Sequence, residues 1–118
     1  MLFIRITNGI ASSGAGNDLV SATDLTAAGA HIILFTTGRG TPFGAPAPTV
    51  KISTNTALFE KKSNWIDFNA GSVAEGENLD AAGDLLLDYV LRVASGEKTT
   101  AEKHGAREIA IFKDGVTL

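Results

Sequence analysis

The run His31-Ile32-Ile33-Leu34-Phe35 is almost wholly apolar, and it decides the fold that the sequence predicts. A short continuous apolar run is typical of a strand covered on both faces, as in a parallel sheet. A helix is predicted just before it, with Asn17 or Asp18 as its N-terminal cap and Gly29 as its C-terminal stop. Residues 36–48 follow the run and predict a loop, because they hold three glycines and all three prolines of the chain.

Strands and helices alternate along the rest of the chain. The predicted strands are residues 2–6, 31–35, 49–53, 65–69 and 108–113, and the predicted helices are residues 17–28, 55–62 and from 78 or 80 to 96. Residues 99–106 are polar and are expected to be irregular, and a turn is expected at residues 114–115. This alternation indicates one α/β domain over residues 1–118. We expect a mainly parallel sheet of four or five strands with helices on both faces, in a Rossmann-like three-layer arrangement.

The composition excludes several classes of protein. A chain of 118 residues suits a single domain, and its formal net charge of −3 comes without any stripe of Lys and Arg. We therefore expect no nucleic-acid partner. No apolar stretch is long enough to span a bilayer, so no membrane partner is expected either. Cysteine is absent, which excludes disulfides and thiolate chemistry within this chain and fits a cytoplasmic protein.

The loop after the central strand holds the clearest candidate binding site. In an open parallel sheet, ligands bind at the carboxyl ends of the strands. Arg39 can hold a carboxylate or phosphate through two parallel hydrogen bonds, the glycines let the backbone approach an anion, and the threonine hydroxyls suit a polyol. The predicted binding residues are Thr36, Thr37, Gly38, Arg39, Gly40 and Thr41. The alternative is a structural turn in which Arg39 pairs with a surface carboxylate.

Two further polar sets follow this loop. Lys51 lies within an otherwise apolar predicted strand, and Asn55 comes four residues later. A lysine there could neutralise a substrate carboxylate, or act as a base if its pKa is lowered, whereas the alternative is an edge-strand lysine that faces solvent. Asp67 and Asn69 share one face of their predicted strand and could bind a metal, a sugar hydroxyl or Arg39. For this pair, the alternative is a solvated face.

No metal site is predicted within the chain, since no spacing of potential ligands stands out. His31 and His104 are far apart in sequence. We interpret His31 as structural and His104 as exposed.

Several motifs in the same order resemble the signature of the altronate/galactarate dehydratase family. The motifs are Phe35-Thr36-Thr37-Gly38-Arg39-Gly40-Thr41-Pro42, then Pro48-Thr49-Val50-Lys51-Ile52 with Asn55, then Asp67-Phe68-Asn69-Ala70-Gly71, and finally Gly76, Ala94-Ser95-Gly96, Glu102, Gly105 and Glu108. Asn17-Asp18 before the first helix also fits. The resemblance covers nearly the whole chain and is more specific than one glycine loop.

The resemblance implies a hydro-lyase, which removes water from a hexarate or hexonate such as galactarate or altronate and gives a 2-keto-3-deoxy acid. Members of the family are similar in using a divalent metal, typically Fe²⁺, and related lyases act on sulfolactate. By the resemblance, Lys51 is the candidate for proton transfer. The substrate-binding candidates are the six loop residues with Asn55, Asp67 and Asn69.

The family's enzymes are several times longer than this chain, with a small N-terminal domain and a central region before the part that matches. The resemblance therefore implies a C-terminal domain that is inactive by itself and works with those regions, which would hold most of the metal ligands. A homo-oligomer is a further possible assembly. Two alternatives are a module that binds a sugar acid or another anion without chemistry, and a structural or oligomerising domain.

Overall fold

The computed structural model describes the backbone of residues 2–4 and, in full, residues 18–111. The elements are β1 (Leu2–Ile4), α1 (Asp18–Ala27), β2 (Ile32–Thr37), β3 (Thr49–Ser53), α2 (Thr56–Lys61), β4 (Phe68–Asn69), α3 (Gly71–Ala74), α4 (Leu79–Ala94) and α5 (Thr100–Lys103). The strands form one sheet in the order β1-β2-β3-β4, in which β2, β3 and β4 are parallel and β1 pairs antiparallel with β2. The expected α/β class and mainly parallel sheet are therefore confirmed, and the Rossmann-like layering stays a prediction.

Strand β2 is covered on both faces, which explains its continuous apolar sequence. Ile33 and Phe35 share one core cluster with Leu25 of α1. Ile32 and Leu34, on the other face, share a second cluster with Val90 and Val93 of α4. Successive side chains of a strand point to opposite faces, so a strand between two helices is apolar at every position.

Helix α4 is the most regular element, as its apolar periodicity predicts. It starts after Asn78, whose side chain accepts hydrogen bonds from the backbone of Asp80 and Ala81, and it ends before Gly96, which has a φ of 109°. Both ends follow from the sequence, because asparagine caps helices and glycine tolerates positive φ. None of the described helices is long and apolar enough to cross a membrane.

The predicted last strand is wrong over residues 108–111, which belong to no strand. The backbone N–H of Glu108 donates to Gly44 O at 2.7 Å, and that of Ala110 donates to the Thr23 hydroxyl at 2.9 Å. This segment therefore bonds to a loop and to α1 rather than to a neighbouring strand.

Other boundaries differ more modestly. The strand predicted for residues 65–69 is reduced to β4, because Trp65 and Ile66 donate their N–H groups to Lys62 O and so continue the turn after α2. Helices α3 and α5 form where no helix was predicted. The predicted strand residues 5–6, the cap at Asn17 and residues 112–115 lie outside the described part of the chain.

Candidate functional site

The loop predicted to bind an anion begins where β2 ends, beside the end of β3. Thr37 is buried, and its hydroxyl accepts hydrogen bonds from the backbone N–H groups of Arg39 at 3.3 Å and Gly40 at 2.9 Å. Gly40 has a φ of 78°, which a residue with a side chain rarely adopts. The Thr37 hydroxyl and these two N–H groups therefore form the turn itself.

The carbonyl groups of the same turn are all held by the segment that contains α2. Four successive carbonyl oxygens, those of residues 37–40, each accept a hydrogen bond from residues 54–62. Thr37 O accepts from Thr54 N at 3.0 Å, Gly38 O from Asn55 Nδ2 at 3.2 Å, and Arg39 O and Gly40 O each from Lys62 Nζ at 3.1 Å. The main chain of the loop is thus fixed from one side.

The side chains of the loop are left at the surface. Thr36, Arg39 and Thr41 are exposed. Within residues 18–111, no carboxylate lies within 4 Å of the Arg39 guanidinium. The two ion pairs found in this part of the chain are both formed by Arg92. The described contacts thus do not provide the surface carboxylate that the structural alternative required. An exposed guanidinium on a fixed backbone is suited to bind an anion.

A cavity of about 270 Å³ adjoins the loop and is lined by Gly40, Pro42, Lys62 and Trp65. Sequence reasoning missed Lys62 and Trp65. Lys62 follows the N-cap Asn55 by seven residues, which is two helical turns, so both reach the loop from the same side of α2. This spacing could have placed Lys62 on the same side of α2 as Asn55, but it does not show that this side meets the loop.

Lys51 is fully buried. Its strand, β3, is flanked by β2 and β4, so the alternative of an edge-strand lysine that faces solvent is wrong. The Lys51 ammonium lies 5.5 Å from the centre of the Trp65 ring. Burial lowers the pKa of Lys51, while the negative charges of Asp67 and Glu108 oppose that shift.

The Asp67 carboxylate connects three elements of the fold, namely β3, α4 and α5. One carboxylate oxygen accepts from the Lys51 backbone N–H at 2.8 Å. The other accepts from the Tyr89 hydroxyl at 3.0 Å and from the Thr100 backbone N–H at 2.8 Å. The pKa of Tyr89 is raised, first by burial and then by the charge of Asp67 and its hydrogen bond to Tyr89.

Asn69 is also engaged within the protein. Its side chain accepts from Gly71 N at 2.9 Å and donates to the Thr56 hydroxyl at 3.3 Å. Asp67 and Asn69 are both half-buried rather than fully solvated. The partners that the structure gives them are β3, α2, α3, α4 and α5, and Arg39 is not among them.

His104 is exposed, as expected, and stacks on the Trp65 ring with 5.4 Å between ring centres. His31 is exposed too, immediately before β2. Over the described residues, no group of three or more His, Cys, Asp or Glu side chains is placed to hold a metal ion. The donor set of this part of the chain therefore does not fit the divalent metal that the resemblance implies.

The described loop and cavity fall within a region that matches a known family. Residues 7–117 match the family model described as D-galactarate/altronate dehydratase, C-terminal. The chain belongs to this dehydratase family.

Similar proteins include altronate dehydratase of Bacillus subtilis, which is 52% identical over 107 residues covering 90% of this chain and 22% of that protein. Altronate dehydratase of Escherichia coli is 47% identical over 90% of this chain and 21% of its own length. Galactarate dehydratase (L-threo-forming) of Escherichia coli is 40% identical over 81% of this chain and 19% of its own length. The chain thus spans about a fifth of the length of these curated relatives.

In this dehydratase C-terminal domain, the predicted site residues fall into two groups. Thr36 to Thr41 and Asn55 are brought together at the loop, where Arg39 points to the surface. Lys51, Asp67 and Asn69 are bonded to the neighbouring strands and helices. The exposed side chains of the loop and the cavity beside it are accessible to a ligand.

Proposed function

We propose that this chain is the C-terminal domain of a longer hydro-lyase, which dehydrates a sugar acid such as altronate or galactarate to a 2-keto-3-deoxy acid. The relatives named above support the reaction class, and their greater length supports the remainder of the enzyme as its partner. In this proposal, the loop of residues 36–41 binds the substrate, and Arg39 holds its carboxylate.

The observation that carries the proposal is that Arg39 combines a held backbone with an exposed guanidinium. Its backbone is held on both sides, by Thr37 and by Lys62, while its guanidinium is exposed and has no carboxylate within 4 Å among the described residues. The main chain that carries this group is therefore ordered before a ligand arrives, so little of the binding energy is lost in ordering the loop.

Arg39 would also act in the chemical step. Removing the proton next to a carboxylate moves negative charge onto the carboxylate oxygens. A guanidinium bound to those oxygens therefore interacts more strongly in the transition state than in the ground state. The metal that the family resemblance implies, Fe²⁺ or another divalent ion, would be bound by the remainder of the enzyme, and it would stabilise the same charge.

The test is kinetic and uses the longer enzyme that contains this domain. Arg39→Ala should lower kcat/KM for the sugar acid about 100-fold, which is the expected loss for a charge-assisted, bidentate contact. Arg39→Lys should recover only part of the rate, because an ammonium cannot form two parallel hydrogen bonds.

The matched control is Arg92→Ala. Arg92 is an exposed arginine on α4 that pairs with Asp88 at 3.8 Å and Glu97 at 3.6 Å. This change should leave kcat/KM unaltered. An unaltered kcat/KM in Arg39→Ala would show that Arg39 does not bind the substrate.

A further inference from the structure

Lys62 has contacts unlike those of an ordinary surface lysine. Its ammonium donates to two successive carbonyl oxygens, those of Arg39 and Gly40, each at 3.1 Å. An ammonium has three donors, so two of them are used to hold the loop. Lys62 is the C-cap residue of α2 and is half-buried, and its side chain also lines the cavity beside the loop.

The backbone that Lys62 holds turns sharply at Gly40. Gly40 has a φ of 78°, and a Cβ added there would lie 2.8 Å from Leu58 Cδ1 and 3.0 Å from Lys62 Cδ. The loop therefore packs directly on the last turns of α2. The Lys62 ammonium is the group that satisfies the two carbonyls facing this helix, and both bonds are charge-assisted.

We propose that Lys62 is a positioning residue, which fixes the main chain at Arg39 and Gly40 and thereby directs the Arg39 guanidinium toward the substrate carboxylate. The proposal rests on the function proposed above. Lys62 acts through Arg39, since its ammonium donates to the backbone that carries the Arg39 side chain. Without the ammonium, two carbonyls lose their partner and the Arg39 backbone is free to sample other directions.

The first experiment tests the contact without reference to catalysis. Amide hydrogen exchange of the 118-residue chain is measured by NMR for Lys62→Met, which keeps the length of the side chain but removes its charge. The Gly40 N–H, which donates to Thr37, should exchange about tenfold faster, since two charged hydrogen bonds that hold its turn are lost. The amides of β3 serve as the internal reference and should not change.

Lys61→Met is the matched control, because Lys61 is the exposed neighbour of Lys62 at the end of α2. It should leave the exchange of Gly40 at its original rate. Equal exchange rates in Lys62→Met and in the unaltered chain would overturn the proposal, whatever the enzyme's function is.

The second experiment asks whether Lys62 acts through Arg39. In the longer enzyme, Lys62→Met should raise KM for the sugar acid about tenfold, and Lys62→Arg should restore most of the affinity because it keeps a cation at this position. The double variant with Arg39→Ala should be no worse than Arg39→Ala alone, because the two residues would serve one contact.

Additive effects of the two changes would overturn the positioning role. If Arg39→Ala alone left the kinetics unaltered, the proposed function would be at fault, and the exchange measurement would still decide whether Lys62 holds the loop.

Discussion

The burial of Lys51 has an electrostatic consequence for the stability of the chain. Lys51 is fully buried within β3, with its ammonium near the Trp65 ring. Burial lowers its pKa from the ordinary value of 10.5, and the charges of Asp67 and Glu108 only partly oppose this. The unfolded chain therefore binds more protons than the folded chain at pH values just below 10.5, so stability should rise with pH through that window.

We predict that Lys51→Met removes this pH dependence without destabilising the protein. Methionine fills a similar volume and carries no charge, and the lowered pKa means that the charged form of Lys51 is less favourable in the folded chain than in the unfolded chain. The free energy of unfolding at neutral pH, from urea denaturation, should therefore equal or exceed that of the unaltered chain. Its rise between pH 7 and about 10 should be smaller in the variant.

The comparison of the two proteins must stay below pH 10.0, the ordinary pKa of tyrosine. Above it the unfolded chain loses the Tyr89 proton while the folded chain keeps it, because the pKa of Tyr89 is raised by folding, and stability therefore falls. A loss of more than about 2 kcal/mol in Lys51→Met at neutral pH would contradict the prediction, because it would mean that the charge is well compensated in the folded state. The kinetics of the same variant in the longer enzyme test the other hypothesis for this residue. A proton-transfer role requires a large fall in kcat.

The helices and strands that the sequence predicted correctly are those whose ends are set by neighbouring residues in the chain. Helix α4 and its two ends follow from the apolar stripe, Asn78 and Gly96. Helix α5 was missed, although Thr99 and Glu102 form a capping box, because it has only four residues and no apolar stripe to mark it. The last strand was predicted over residues 108–113, yet Ile109 and Ile111 are 63% and 90% exposed.

The candidate site also has one part that the sequence predicted and one part that it did not. The loop was found because its glycines, threonines and arginine are consecutive in the chain. The cavity beside it was missed, because Lys62 meets Arg39 and Gly40 across 23 and 22 positions. The inward role of Asp67 was also missed, since its partner Thr100 lies 33 positions away. Contacts of this kind depend on tertiary packing, which residue type and periodicity do not encode.

Asp67 gives a prediction at this scale, because its carboxylate joins β3, α4 and the start of α5. Asp67→Ala leaves three donors without their acceptor: Lys51 N, Tyr89 Oη and Thr100 N. We expect the free energy of unfolding to fall by about 3 kcal/mol, since hydrogen bonds to a charged group are strong and buried donors are costly to leave unpaired. Urea denaturation measures this.

Asp84→Ala is the appropriate control, because Asp84 is an exposed carboxylate on α4. Its effect should stay within about 0.5 kcal/mol, as for most surface substitutions. If Asp67→Ala were as mild as the control, the carboxylate would not hold these elements together.

For the whole molecule, the small size of the sheet and the greater length of the relatives both indicate that this chain alone does not hold a complete catalytic site. Three parallel strands present one loop with an exposed cation at their carboxyl edge. Dehydration also needs a base, an acid and further stabilisation of the enediolate charge. Among the described residues, no cluster of His, Cys, Asp or Glu is placed to hold the metal that would give such stabilisation.

We therefore predict that the 118-residue chain alone forms no 2-keto-3-deoxy acid from altronate or galactarate, while the longer enzyme that contains it does. Supplying the remainder of the proposed longer enzyme as a separate chain should restore turnover, and Arg39→Ala in the 118-residue chain should reduce the restored rate. The measurement is product formation with each chain alone and with both together, at saturating substrate and divalent metal. Turnover by the 118-residue chain alone would mean that its own residues complete the catalytic set. Full turnover by the remainder alone would show that this domain has no part in the reaction.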